Sequence, residues 1–125
     1  MNFTLEVTQP FPDQPIAVFE TGGRLDASTV FELERAFGAA HSPKTGLGMR
    51  VIVVTMDGLR YISSSGLRAL LAARTALRKT GGDVLLCTLS PAVRDIFDMV
   101  GFDTIFKIYP TREEALGIAK LVVTS

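Results

Sequence analysis

The sequence contains no tryptophan, one cysteine and one histidine among its 125 residues. The single cysteine, Cys87, cannot form an internal disulfide, and its place in the apolar run DVLLCTL is typical of a small buried side chain. One histidine and one cysteine also leave no Cys-x-x-Cys or His-x-x-x-His cluster. We therefore expect neither a metal site nor a bound cofactor.

The sequence also lacks an excess of charge and lacks long apolar runs. Thirteen basic and thirteen acidic residues give a formal net charge of zero, so the cationic surface that binds nucleic acid is not expected. The longest apolar runs, residues 51–54 and 69–73, are far shorter than the roughly 20 residues that cross a bilayer. The first ten residues do not resemble a secretory signal, so we expect a cytosolic protein without a membrane contact.

Strand and helix patterns alternate along the chain. Apolar alternation and β-branched runs predict strands over residues 2–8, 15–21, 49–56, 83–89 and 104–109. Gly22 and Gly23, after the second strand, predict a turn. Helical spacing predicts helices from about Ser28 to Ala40, after the serine triplet, after Ser90 and after Thr111. Strands that alternate with helices indicate parallel pairs joined by crossovers. We expect one α/β domain over residues 1–125, with a mixed sheet of about five strands and about four helices packed on it.

Helix-capping signals accompany three of these helices. The segment SPAVRDIFDMVG has Ser90 as N-cap, Pro91 at the first helical position and Gly101 just past the end. Its apolar face is predicted from the helical spacing of four residues, Val93, Ile96, Phe97 and Val100. The spacing of a capping box occurs twice more, in the pairs Thr29 with Glu32 and Thr111 with Glu114.

The stretch YISSSGLRALLAA places three serines directly before a helical pattern. In one interpretation Ser63 or Ser64 caps the helix. In another, a serine carries a phosphate, because a helix N-terminus presents free N–H groups and a positive dipole. A nucleophile is disfavoured, because a G-x-S-x-G turn is missing and the only histidine, His41, precedes the serines in a predicted loop.

Several separated motifs resemble the STAS domain, and within it the bacterial anti-sigma factor antagonists. GRLDAST resembles the family's G-x-L-D turn, and ISSSGLRALLAA resembles its D-S-S-G-L segment. The segment GGDVLLCTLSPAVRDIFDMVGF and the helix start TREEAL resemble the stretches that follow them. The motifs occur in the family's order and cover most of the chain.

The resemblance implies a regulator of transcription that is not an enzyme. Such antagonists bind an anti-sigma factor that is itself a serine kinase of the histidine-kinase-like ATPase class, and thereby free a sigma factor, as in a stress response. The kinase phosphorylates a serine of the antagonist, the pair separates, and a serine phosphatase resets the antagonist.

The family's motif residues map onto named positions of this chain. Ser64 matches the phosphorylated serine, and Ser65, the second hydroxyl, is the alternative phosphate acceptor. Gly66 matches the turn glycine, and Asp26 matches the Asp of the G-x-L-D motif, close to the phosphorylated serine in that fold. These residues, together with Ser63 and Arg68, are the expected partner-binding set. Arg68 is one of four basic residues on the helix, a pattern typical either of a solvated face or of a partner-facing surface.

The chain departs from the family pattern at Ser63, where the antagonists usually carry Asp. The missing carboxylate removes a charge that would repel an added phosphate, and also one that could orient the kinase. The alternative hypothesis is therefore a STAS interaction module or scaffold component that binds a partner without phosphorylation.

Overall fold

The computed structural model describes residues 2–42, 44 and 46–124. Within these residues the chain forms five strands and four α-helices in the predicted order β-β-α-β-α-β-α-β-α. The strands are β1 (Phe3–Thr8), β2 (Ile16–Leu25), β3 (Val51–Ile62), β4 (Asp83–Cys87) and β5 (Lys107–Tyr109). The helices are α1 (Val30–His41), α2 (Ser64–Arg78), α3 (Pro91–Val100) and α4 (Arg112–Thr124).

The five strands form one mixed sheet in the order β1-β2-β3-β4-β5. Strand β1 is antiparallel to β2, as the predicted hairpin requires, and the other three pairs are parallel. Helices α1, α2 and α3 share one buried cluster with the sheet, whereas α4 shares a second cluster with the opposite face. The predicted α/β fold is confirmed.

The alternation of side chains along each strand supplies both clusters. In β2, Ala17 and Phe19 belong to the cluster under α1–α3, while Ile16 and Val18 belong to the cluster under α4. Because both faces are covered, the strands read as nearly continuous apolar runs. This arrangement explains why β3 begins with the unbroken run VIVV and why Cys87 is fully buried.

Strand β2 is longer than the sequence pattern predicts. We expected Gly22 and Gly23 to form a turn, but the strand continues through both glycines to Leu25. The β2–β3 register shifts between Glu20 and Gly22 and again between Gly23 and Arg24. Gly23 has φ of 82°, a left-handed conformation that favours glycine. The two glycines therefore mark an irregularity within the strand rather than its end.

Strand β3 also extends past its predicted end at Met56 and continues to Ile62. Strand β4 pairs with β3 only from Val51 to Thr55, whereas β2 pairs with β3 as far as Ile62. The carboxyl-terminal halves of β2 and β3 thus project beyond β4. This projection carries the serine triplet.

The structure confirms the predicted start and end of helix α3. The Ser90 hydroxyl accepts a hydrogen bond from the Val93 amide at 3.3 Å, Pro91 is the first helical residue, and Gly101 ends the helix with φ of 79°. The predicted apolar face is correct except for Val100, which is 48% exposed. At α4, the Thr111 hydroxyl accepts from the Glu114 amide at 3.1 Å, as the second capping box predicts.

The predicted capping box at Thr29 and Glu32 is wrong. Thr29 precedes α1 but makes no side-chain capping bond to it. Its hydroxyl instead donates to the Arg24 carbonyl at 2.9 Å, which ties the residue to the end of β2. His41 is the last residue of α1 rather than a loop residue, and its ring stacks on Phe37 with centroids 5.1 Å apart.

The last strand is shorter than predicted. The residues between Gly101 and Phe106 form a short 3₁₀ helix, Phe102–Thr104, and a turn, so β5 begins only at Lys107. Phe106 is buried at this turn and packs edge-on against Phe97, with ring centroids 6.1 Å apart. Burial of this aromatic group outweighs the strand propensity of the segment TIF.

Replacing Phe97 by Ala should lower the free energy of unfolding by about 3–5 kcal/mol, because the ring is fully buried and the cavity cannot be refilled. The matched control is Met99→Ala on the same helix, where the side chain is 83% exposed and the change should stay within about 0.5 kcal/mol. Urea unfolding followed by circular dichroism measures both variants. Equal effects would contradict the assigned face of α3.

Candidate functional site

The serine triplet lies where two parallel strands end side by side. Leu25 of β2 pairs with Ile62 of β3, and the Ser63 amide donates to the Leu25 carbonyl at 2.9 Å. Asp26 and Ser63 are therefore each the first residue beyond a paired strand end. The carboxyl edge of a parallel sheet is where α/β proteins commonly bind ligands.

Ser63 is the N-cap of α2. Its backbone is extended, and its side-chain oxygen accepts a hydrogen bond from the Gly66 amide at 3.4 Å. The Ser63 carbonyl accepts the first helical hydrogen bond, from the Leu67 amide at 2.9 Å. Of the two serines that the sequence left open for this role, the structure assigns Ser63.

Ser64 is the first residue of α2 and is exposed. Within the residues that the structure describes, its hydroxyl makes no hydrogen bond. The first-turn amides of a helix lack intrahelical acceptors and form the positive end of the helix dipole. An added negative group on Ser64 would lie at this positive end.

Ser65 has a different environment from Ser64. Its side chain is half-buried, and its oxygen accepts a hydrogen bond from Nη2 of Arg68 at 3.4 Å. The two hydroxyls predicted as alternative phosphate acceptors are thus distinct, because Ser65 has a side-chain partner and Ser64 has none within the described chain.

Gly66 is buried against the strand ends. A Cβ atom at this position would lie 2.8 Å from Cγ1 of Ile62 and 2.9 Å from Cγ of Leu25. Only glycine lets the first turn of α2 approach the paired residues so closely. The glycine therefore fixes the position of the serines relative to the sheet.

Asp26 is held as a carboxylate by its own turn. Its Oδ1 atom accepts from the Ser28 hydroxyl at 2.8 Å and from the Ser28 amide at 3.0 Å, and its Oδ2 atom lies 3.8 Å from Nε of Arg24. The hydrogen bond from the Ser28 hydroxyl is the main cause that lowers the pKa of Asp26. The resulting stabilisation is complete above the pKa of the unfolded state and is lost as the pH falls through the lower pKa of the folded state. Asp26 is thus a fixed negative charge near neutral pH. In the described structure no hydrogen bond links it to the serine triplet, residues 63–65.

Arg24 and Tyr61, which the sequence motifs did not indicate, also lie near this edge of the sheet. The Arg24 guanidinium lies over the Tyr61 ring at 4.3 Å from its centroid, and the two residues are paired in the β2–β3 register. Their proximity could be found only with the register shifts in β2, which the sequence pattern does not reveal.

A groove of about 380 Å³ runs between α1 and α2 next to the serines. Its lining joins apolar and charged groups, namely Val30, Glu34, Ser65, Arg68, Ala69 and Ala72. Phe31, which follows Val30 in α1, is 49% exposed. The groove places Arg68 on a surface that a partner can reach.

Other types of site have no support in the described residues. No group of three or more His, Cys, Asp or Glu side chains there could hold a metal ion. Burial raises the pKa of the Cys87 thiol, as expected for a packed side chain. None of the helices in this part of the chain is long and apolar enough to cross a membrane.

Comparison with known proteins places this geometry in a family. A family model described as the STAS domain matches residues 7–115, so the chain belongs to the STAS domain family. BtrV of Bordetella bronchiseptica, which is named as an anti-sigma factor antagonist, is 41% identical over 73 residues, covering 58% of this chain. That match spans 63% of the length of BtrV, less than two thirds.

Longer matches extend the similarity over nearly the whole chain. The anti-sigma-B factor antagonist of Staphylococcus aureus is 26% identical over 108 residues, 86% of this chain and 94% of that protein. The crystal structure of an anti-sigma factor antagonist from Mycobacterium paratuberculosis has a TM-score of 0.77 and 26% identity, and the match covers 95% of each chain. The resemblance drawn from the sequence motifs is confirmed.

Replacing Gly66 by Ala should destabilise the fold by about 1–3 kcal/mol, because the new methyl group overlaps Leu25 and Ile62. Gly117→Ala is the matched control, since it is also a helical glycine but has nothing within 4 Å of the added Cβ. The control should be neutral or stabilising by up to about 1 kcal/mol. Urea unfolding distinguishes the two, and a neutral Gly66→Ala would contradict the close approach.

Ser63→Ala should cost about 0.5–1 kcal/mol of unfolding free energy, at the low end for a cap because its hydrogen bond is long. Ser64→Ala should change the unfolding free energy by less than about 0.5 kcal/mol, because the Ser64 hydroxyl is exposed. Thermal or urea unfolding of the two variants provides the comparison. A larger loss in Ser64→Ala would show that Ser64, not Ser63, caps the helix.

Proposed function

We propose that this protein is an anti-sigma factor antagonist that binds an anti-sigma factor and is released from it when Ser64 is phosphorylated. One observation carries the proposal: Ser64 presents an exposed hydroxyl without a hydrogen bond in the described chain, while its neighbour Ser63 caps the helix. The capping role and the acceptor role therefore fall on different residues. Similarity to proteins named as anti-sigma factor antagonists supports the choice of partner.

In this proposal the protein is the substrate of its partner and not an enzyme. The Ser64 oxygen forms a bond to the γ-phosphorus of ATP, the bond from that phosphorus to the oxygen of ADP breaks, and the hydroxyl proton passes to a base on the kinase. A kinase of the histidine-kinase-like ATPase class supplies the ATP site, and a serine phosphatase later removes the phosphate by hydrolysis. The exchange takes place in the cytosol, where ATP is available.

The N-terminus of α2 would stabilise a phosphate on Ser64. The phosphate lies at the positive end of the α2 dipole, next to first-turn amides that lack intrahelical acceptors. The neutral cap Ser63 helps, because a carboxylate at that position would add a negative charge beside the phosphate. Arg68, four residues along the helix, adds a positive charge.

The same phosphate weakens partner binding through charge. It adds close to two negative charges to a protein whose formal net charge is zero. Asp26, which is held as a carboxylate at the same edge, makes the local surface still more negative. A partner surface that fits the unphosphorylated serines must then desolvate the phosphate or is repelled by it. Release follows from this cost.

The second candidate function is an interaction module of the same fold that is not regulated by phosphate. The α1–α2 groove favours it, because the lining includes apolar side chains and does not include Ser64, which suits a partner whatever the state of Ser64. Under this alternative, Ser63 caps α2, and Ser64 and Ser65 are surface residues.

Incubation with the anti-sigma factor kinase of the host and ATP distinguishes the two functions. We expect one phosphate, mapped to Ser64 by peptide mass spectrometry, in the wild-type protein and in the neighbouring control Ser65→Ala, but none in Ser64→Ala. Phosphate on Ser65 in the wild-type protein would support the alternative acceptor, and its absence from every serine would favour the constitutive module.

Binding of the same kinase, measured by calorimetry, tests the release. Ser64→Ala should bind persistently in the presence of ATP, because it cannot be modified. Ser64→Asp should bind at least about tenfold more weakly than the wild-type protein, in line with about 1.4 kcal/mol of charge and desolvation cost. A Ser64→Asp variant that binds as tightly as the wild-type protein would contradict the switch.

A further inference from the structure

We infer that Arg68 is the residue that holds the phosphate once Ser64 carries it, so that Arg68 is withdrawn from the α1–α2 groove in the phosphorylated state. This inference rests on the proposed phosphorylation of Ser64 and adds the intramolecular partner of the modified side chain. Arg68 acts here as a positioning residue for the phosphate.

Helix geometry brings Arg68 and Ser64 together. The two residues are four positions apart in α2, and side chains at this spacing lie on one face of a helix, one turn apart. Side chains in a helix also point towards its N-terminus, so the Arg68 side chain leans towards the first turn. The contact of Arg68 Nη2 with the Ser65 oxygen at 3.4 Å shows that the guanidinium already reaches this turn.

Arg68 is also free to change partners. It is exposed, and the ion pairs of the described residues do not include it. Its hydrogen bond to neutral Ser65 is long and at the surface, so little is lost when it breaks. A guanidinium binds a phosphate through parallel N–H groups, which is a stronger interaction than one hydrogen bond to a hydroxyl.

Within α2, no other charged residue competes for this role. The first turn of α2 contains no acidic residue, and Arg68 is the only charged residue from Ser64 to Ala72. The next basic residue on the helix, Arg74, is ten positions from Ser64, or about 15 Å along the axis. Arg78 lies further still and is paired with the buried Asp83 at 3.1 Å. Off the helix, Arg24 lies at the same edge of the sheet, but it already contacts Asp26 and lies over the Tyr61 ring.

The contact between Arg68 and the phosphate also affects how a partner binds in the α1–α2 groove. Arg68 lines the α1–α2 groove together with Glu34 and apolar side chains. When the guanidinium turns to the phosphate, the groove loses its positive charge while Glu34 remains. A partner that contacts Arg68 through an acidic group would lose that contact on phosphorylation, in addition to meeting the phosphate itself.

The test uses the full chain with phosphoserine incorporated at position 64 during translation, so that no kinase is needed. The second pKa of the phosphate is measured by ³¹P NMR titration in the wild-type background, in Arg68→Gln and in the matched control Arg74→Gln. Arg68 favours the dianion, so the titration midpoint should rise by about 0.5 pH unit in Arg68→Gln, a size set by one exposed ion pair. Arg74→Gln should titrate as the wild-type background does.

Two further readouts keep the outcome specific. High salt should reduce the difference between the wild-type background and Arg68→Gln, because exposed ion pairs are screened. Arg68→Lys should restore part of it, since Lys keeps the charge without the guanidinium fork. An unchanged midpoint in Arg68→Gln, or an equal rise in Arg74→Gln, would overturn the inference. Either result would leave the proposed phosphorylation of Ser64 standing, whereas a kinase that never modifies Ser64 would defeat the proposed function without touching this titration.

Discussion

The parallel pairing of β2 with β3 as far as Leu25 and Ile62 is the constraint on which the candidate site depends. It brings Asp26 and Ser63 out of adjacent strands at the same edge, and the Ser63 amide closes the edge by donating to Leu25. Gly66 then lets α2 approach this pair within van der Waals distance. If either the pairing or the glycine were lost, the serines would move relative to the surface that surrounds them.

In the proposed function, the three consecutive serines divide two roles, helix capping and phosphate acceptance, that both require a hydroxyl side chain. A capping hydroxyl is engaged with the helix backbone, whereas a phosphate acceptor must be exposed and able to reach another protein. Ser63 takes the first task and Ser64 is available for the second, with Ser65 turned towards Arg68. The neutral cap is compatible with a phosphate next to it, which a capping carboxylate would disfavour. Ser63, at the position where the resemblance to the antagonists implies an Asp, therefore caps the helix without adding a negative charge.

Much of the fold could be predicted from the sequence because local signals and burial agree. Helix α3 is the clearest example, since Ser90, Pro91 and Gly101 specify its ends and Phe97 its buried face. The failures occur where tertiary contacts override local signals. Gly22 and Gly23 read as a turn, but sheet pairing continues through them, and Thr29 reads as a cap but bonds to the Arg24 carbonyl instead. The serines and Asp26 could be selected from motifs, whereas Arg24 over Tyr61 required a register that only the folded sheet defines.

The central claim is that Ser64 is where a phosphate is added and removed in the cell. The most direct test is peptide mapping by mass spectrometry of the protein recovered from its host during growth and under stress. We expect a phosphoryl group on Ser64 whose occupancy changes between the two conditions. If no serine carries phosphate in either condition while the protein is recovered in a stable complex, the switch is contradicted and the domain is a constitutive interaction module.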